Sequence, residues 1–162
     1  MIALRYVYVF ALVIWLGGAI TIGSVVAPAT FAALEQRQGA TGRQAAAAVI
    51  GEVLRRFHVV AYIAGTLLLI TLVSMKLVGP RPIGFGFRLA MVGGMLLATV
   101  VSGIWVDGAI AAIRTSVGRP VSELAPADPQ RVRFGQLHAL STGLMGLVVL
   151  GGLGLCYWET RE

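Results

Sequence analysis

The sequence predicts an all-α integral membrane protein, folded as a single antiparallel four-helix bundle. Hydrophobic residues make up 57% of the 162-residue chain and charged residues only 12%, whereas soluble domains average roughly 25% charge. Four apolar stretches, at residues 6–29, 53–75, 89–113 and 139–157, each hold the ~20 residues that a helix needs to cross ~30 Å of hydrocarbon. The few charges lie mostly between these stretches, so we expect four crossings of alternating direction.

Each stretch has flanking signals that support a membrane helix. The first is too long for the apolar region of a cleaved signal peptide, so we expect it to be retained. The second ends before Gly79-Pro80-Arg81-Pro82, a short turn that would make the second and third helices antiparallel neighbours. The third is followed by a connection with three prolines, and Asp128-Pro129 within it is a typical start signal for the last helix.

The basic charge of the chain is explained by a lipid bilayer rather than by nucleic acid. The net charge is +6, but the arginines are scattered over every connection and form no basic stripe, so we predict no nucleic-acid partner. Basic residues beside membrane spans are attracted to anionic lipid and help to set topology. The single cysteine, Cys156, excludes an internal disulfide and a multi-cysteine metal site.

Charge also bears on orientation. Residues 30–52 and 114–134, with the adjoining helix ends, carry the larger number of basic residues, which favours their cytoplasmic placement in a bacterial inner membrane. The short second connection, with Lys76, Arg81 and Arg88 and no acidic residue, favours the opposite orientation. Glycine pairs on the third and fourth helices, such as Gly93-Gly94 and Gly151-Gly152, offer surfaces for a homo-oligomer.

Three titratable residues mark one end of the predicted bundle. His58 opens the second apolar core, Asp107 closes the third and His138 opens the fourth. With alternating crossings, all three lie at about the same depth, within roughly a turn of one hydrocarbon edge. Ionisable groups in membrane helices usually mark a functional site, so we predict the site here.

Two histidines on separate helices suggest haem as one ligand. His58 and His138 would be the axial ligands of a haem b, and small neighbouring residues would leave space for a flat ring. Arg55, Arg56, Arg131 and Arg133 lie one or two turns nearer the water, where haem propionates need cations. The protein would then transfer electrons to an unknown redox partner or handle haem.

Two other interpretations use the same residues. His58, His138 and Asp107 could together form a two-histidine, one-carboxylate site for a divalent transition metal. Alternatively, the histidines occupy the interface without a cofactor, and the protein is a membrane scaffold or a small-solute permeability factor. The sequence contains no nucleophile–base pair, phosphate loop or cysteine-based zinc motif that would identify an enzyme.

Short motifs resemble a known group of small membrane proteins. Trp15-Leu16-Gly17-Gly18, Arg56-Phe57-His58 and the segment from Phe134 to Ser141 are similar to motifs of the transmembrane-protein-205-like family. That resemblance implies a four-helix membrane protein of poorly defined biochemistry. The layout more distantly resembles CopD-type copper-resistance proteins and HemJ-type haem-biosynthesis proteins, which implies a haem or copper ligand. Unlike those relatives, this chain is short and lacks methionine-rich or multi-histidine clusters.

Overall fold

A computed structural model of the chain describes residues 2–79 and 82–160, and these residues are mostly helical. Five α-helices are present in the described ranges: α1 (Ile2–Thr21), α2 (Ala27–Val78), α3 (Phe85–Val100), α4 (Asp107–Val117) and α5 (Pro129–Glu159). The π-helical turns Ile22–Val26 and Val101–Val106 join α1 to α2 and α3 to α4, and the chain stays helical through both turns. Pro80 and Arg81 of the predicted turn, and the basic residue Arg161, lie outside the described residues.

The helices have the length and the surface of membrane spans. In the described part of the chain, three helical segments are long and apolar enough to cross a bilayer: Ile2–Val78, Phe85–Val117 and Pro129–Glu159. Large apolar side chains lie on their outer surfaces, where Val13, Leu97, Ile104 and Leu150 are each more than half exposed. An apolar outer surface of this extent suits lipid rather than water. The predicted all-helical character is therefore confirmed, and the helices are long and apolar enough to span a membrane.

The first segment folds back on itself at Gly39. This glycine has φ 57° and ψ −130°, a conformation that breaks the helix and that other residues rarely adopt. Across the turn, the Arg43 guanidinium donates to the Glu35 carboxylate at 2.5 Å. Further along, Gly65 contacts the ring of Trp15, although an unbroken helix would separate these residues by about 75 Å.

Replacement of Gly39 by alanine is expected to lower the free energy of unfolding by about 2 kcal/mol. A Cβ at Gly39 would meet no neighbouring atom within 4 Å, so the cost comes from the backbone conformation alone. Unfolding in mixed micelles with increasing dodecyl sulfate measures it. Gly86→Ala is the matched control, because Gly86 is helical and equally open; equal stability of both variants would contradict the prediction.

Residues 30–52 connect the first two apolar stretches. Apart from the break at Gly39, they extend α2 as regular helix. Alanine, glutamine, glutamate and arginine dominate this region, and all are strong helix formers. The connection between the first two apolar stretches is consequently helical on both sides of Gly39.

The start of the last helix is confirmed. Asp128 adopts extended backbone angles before α5, and its carboxylate accepts a hydrogen bond from the Gln130 backbone N–H at 2.8 Å. Pro129 occupies the first turn, where its missing N–H needs no partner. This cap fixes where α5 begins, and thereby the height of the residues that follow it.

Close helix packing in the core depends on small residues. Trp15 and Tyr8 are fully buried at the centre of the main apolar cluster. A Cβ on Gly65 would lie 2.9 Å from Trp15 Cζ3, and a Cβ on Gly152 would lie 2.9 Å from Leu16 Cδ1. These approaches are possible only because glycine exposes the backbone of one helix to the side chains of the next.

Candidate functional site

The structure brings His58 of α2 against Asp107 at the start of α4. His58 Nδ1 lies 3.2 Å from Asp107 Oδ2, an ion-pair separation, and the side chains are 10% and 30% exposed. Nδ1 itself is buried and makes no hydrogen bond of regular geometry, so the carboxylate is its close polar neighbour. A buried imidazole is thus held beside a carboxylate that remains partly accessible.

A π-helical turn and one glycine shape this contact. The turn Val101–Val106 directly precedes Asp107, and such turns place an additional residue in the helix and rotate the residues that follow. Gly103 lies in this turn, and a Cβ there would be 2.8 Å from His58 Cγ and in still closer contact with the Tyr62 hydroxyl. The absence of a side chain at Gly103 therefore allows His58 and Tyr62 to lie directly on the neighbouring backbone.

Tyr62 lies one turn after His58 on α2. Its ring stacks with that of His58, with centroids 6.1 Å apart and planes inclined by 16°. Together with the Gly103 backbone, this stacking restricts rotation of the imidazole. The ring of His58 is consequently held in one orientation by Tyr62, Gly103 and Asp107.

A small cavity also borders His58. Its volume is about 20 Å³, and its lining includes Thr99, Ser102, Met145 and Trp15 as well as His58. A cavity of this size holds about one water molecule or a single ion. Its lining places an imidazole, two hydroxyls and a thioether side chain among otherwise apolar residues.

Residues 10–118 match a family model described as a domain of unknown function, DUF4149. The chain belongs to the DUF4149 family. No curated protein and no solved structure matches it. The DUF4149 match includes His58, Asp107 and Gly103, whereas Met145 and His138 lie beyond its end.

His138, outside the DUF4149 match, does not join the pair. It is exposed on α5, where its ring stacks with that of Phe134, with centroids 6.4 Å apart. It lines a separate cavity of about 580 Å³, whose lining does not include His58. Within residues 2–79 and 82–160, no group of three or more histidine, cysteine, aspartate or glutamate side chains is arranged to hold a metal ion.

Three of the four arginines predicted beside the site have other contacts in this DUF4149 protein, and the fourth is exposed. Arg55 and Arg56 both donate to the Glu52 carboxylate, at 2.8 and 2.7 Å. Arg131 donates to the backbone carbonyl of Leu124 at 2.6 Å. Arg133 is exposed on α5. The cations that line the larger cavity are instead Arg43, Arg114 and Arg119.

Several residues of the smaller cavity were not singled out from the sequence. Thr99 is 5% exposed and donates to the Met95 carbonyl at 2.9 Å. The Ser102 and Ser141 hydroxyls lie 3.3 Å apart and join α5 to the π-helical turn. The sequence signal for these residues was the presence of hydroxyl side chains within apolar helices. Such hydroxyls commonly bond to the backbone of their own helix, so they do not identify a binding site by themselves.

Proposed function

We propose that this protein is a small integral membrane protein that binds one transition-metal ion at His58. The observation that carries the proposal is the small cavity, which His58 and Met145 both line and which has room for a single ion. This proposal modifies the divalent-metal alternative predicted from the sequence in both its ligands and its ion.

Asp107 supports His58 as a ligand. Histidines that bind metals almost always direct their second ring nitrogen to a carboxylate or carbonyl, which sets the tautomer and raises ligand basicity. Nδ1 of His58 is close to Asp107, and a proton held there leaves the lone pair of Nε2 for an ion. Asp107 is thus a positioning residue rather than a ligand.

The donor types favour monovalent copper over a hard cation. Thioether and imidazole ligands select soft or borderline metals, whereas magnesium and calcium need several oxygens. Met145 supplies the thioether and His58 the imidazole, and no carboxylate is among the residues lining the cavity in the described chain. A singly charged ion also needs less compensating charge in an apolar interior.

The surroundings of His58 do not fit a haem. A cavity of about 20 Å³ is far smaller than the ~300–1,000 Å³ of ordinary cofactor pockets. His138, the predicted second axial ligand, lines a different cavity. A haem held by His58 and His138 stays a prediction from the sequence that this geometry does not favour.

The proposed topology has four antiparallel crossings. The break at Gly39 and the contact between Gly65 and Trp15 support division of the first apolar segment, Ile2–Val78, into two crossings. With Phe85–Val117 and Pro129–Glu159 this makes four. The charge of residues 30–52 and 114–134 supports their placement in the cytoplasm, in a bacterial inner membrane. Resemblance to the transmembrane-protein-205-like, CopD-type and HemJ-type proteins agrees with this layout and remains a prediction.

Metal loading of the purified full-length protein tests the proposed function. Incubation with monovalent copper under reducing conditions is expected to give about one ion per chain by elemental analysis. His58→Ala and Met145→Leu should abolish retention, because each removes a ligand. Asp107→Asn should weaken binding by about 10–100-fold in competition with a copper chelator, as loss of a supporting carboxylate does at other metal sites.

His138→Ala is the matched control and should retain the ion, since His138 lines the other cavity. Equal loss in this variant, or retention in His58→Ala, would contradict the assignment of ligands. A Soret band from protein made in haem-replete cells would instead favour haem. A colourless, metal-free protein that retains no copper would favour the cofactor-free scaffold.

A further inference from the structure

We infer that the larger cavity binds the phosphate head of an anionic phospholipid. This cavity has a volume of about 580 Å³ and is formed by the hairpin around Gly39, the end of α4 and the start of α5. It is separate from the proposed metal site, and the inference does not depend on metal binding.

Three arginines give the cavity its charge. Arg43, Arg114 and Arg119 line it, and no acidic side chain does so among the described residues. Arg43 also pairs with Glu35. Even when the negative charge of that carboxylate is counted, the site keeps a net positive charge. Planar guanidinium groups donate two parallel hydrogen bonds to phosphate oxygens, which makes arginine the preferred residue for such anions.

Neighbouring residues position Arg114 and Arg119. The Arg114 guanidinium lies over the Phe134 ring, 5.6 Å from its centroid, and this contact holds it towards α5. Gly118, with φ 63°, ends α4 in a left-handed turn and so places Arg119 at the cavity rather than along the helix. Both guanidinium groups therefore line the same cavity.

The walls of the cavity are apolar and indicate an amphiphile. Phe31, Ala47, Val121 and Phe134 are among its lining residues. Its volume suits a headgroup with its glycerol and the first part of an acyl chain, while the rest of the chains would lie along the apolar outer surface of the bundle. A free anion such as inorganic phosphate would use the arginines but gain nothing from these walls.

The position of the cavity agrees with this ligand. It lies at the end of the bundle that also holds residues 30–52 and 114–134, where the apolar segments give way to polar residues. Headgroup phosphates occupy this level of a bilayer, and anionic lipids there attract arginine clusters.

Native mass spectrometry of the full-length protein in dodecyl maltoside, titrated with phosphatidylglycerol, tests the inference. The double variant Arg114→Gln/Arg119→Gln is expected to raise the dissociation constant by about 30-fold, given ~1 kcal/mol for each arginine near a lipid surface. Arg37→Gln/Arg133→Gln is the charge-matched control, because both arginines are exposed and neither lines the cavity. This control should change binding by less than about threefold.

A second variant addresses the apolar walls. Ala48→Leu would fill part of the cavity without changing charge and should also weaken binding of phosphatidylglycerol, with thermal unfolding as the check of the fold. Equal binding of phosphatidylcholine, equal loss in the charge-matched control, or displacement of the lipid by inorganic phosphate would each overturn the inference. The last result would identify a free phosphate as the ligand.

Discussion

Replacement of Arg88 by leucine is expected to lower the free energy of unfolding by about 3–5 kcal/mol. Arg88 is only 1% exposed, its guanidinium forms an ion pair with the Glu159 carboxylate, and it lies 4.9 Å from the centroid of the Tyr8 ring. Removal of Arg88 leaves the largely buried Glu159 carboxylate with the more exposed Arg5 as its remaining ion-pair partner, and the loss of compensation costs more than the pair itself contributes. Arg5, which also bonds to Glu159 at 3.3 Å, links the first helix to the same group.

Unfolding in dodecyl maltoside with increasing dodecyl sulfate measures this loss. Arg133→Leu is the control, since it removes an exposed arginine from α5 and should change stability by less than about 0.5 kcal/mol. The double variant Arg88→Leu/Glu159→Leu should recover part of the loss, because Arg5, the charge that then loses its carboxylate partner, is partly exposed rather than buried. A single variant as stable as the control would show that Arg88 and Glu159 do not stabilise the bundle.

The sequence predicted that His58 and Asp107 lie close together, but it did not predict that His138 faces a different cavity. Hydropathy locates His58, Asp107 and His138 relative to the apolar cores, because transfer of charge into hydrocarbon is costly. It does not determine the rotation of each helix about its axis, which depends on packing. The π-helical turn before Asp107 changes that rotation in a way that a constant period of 3.6 residues cannot indicate. His58 and Asp107 therefore meet, whereas His138 lines another cavity.

At the ends of helices, local features were also easier to predict than those that depend on packing. Asp128-Pro129 was sufficient to predict the start of α5, because a capping side chain and a proline are local signals. The sequence did not distinguish Gly39 from the other glycines. Its positive φ arises because the chain reverses direction there, and the reversal depends on how the two helices pack. Arg88 was grouped with the cations of the second connection, but α3 begins at Phe85 and Glu159 gives this arginine a buried partner. Such a long-range ion pair leaves no local pattern.

Gly103→Val is expected to disrupt the candidate site and to lower the free energy of unfolding by about 3 kcal/mol, at the upper end of ordinary overpacking. Even a Cβ at this position would be 2.9 Å from His58 Nδ1 and closer still to the Tyr62 hydroxyl. The histidine must then rotate away from Asp107 or the two helices must separate. Either change should reduce the proposed affinity for monovalent copper by at least the 10–100-fold expected for loss of the carboxylate.

The matched control distinguishes crowding at the site from a general effect of side chains on the helix. Gly108 is helical and follows Asp107, and a Cβ there would meet no neighbouring atom within 4 Å. Gly108→Ala should therefore leave metal binding unchanged and stabilise the helix by up to about 1 kcal/mol. If Gly103→Val bound copper as well as Gly108→Ala did, the approach of His58 to the π-helical turn would have no role in metal binding. A loss confined to Gly103→Val would support an imidazole whose orientation depends on this backbone contact.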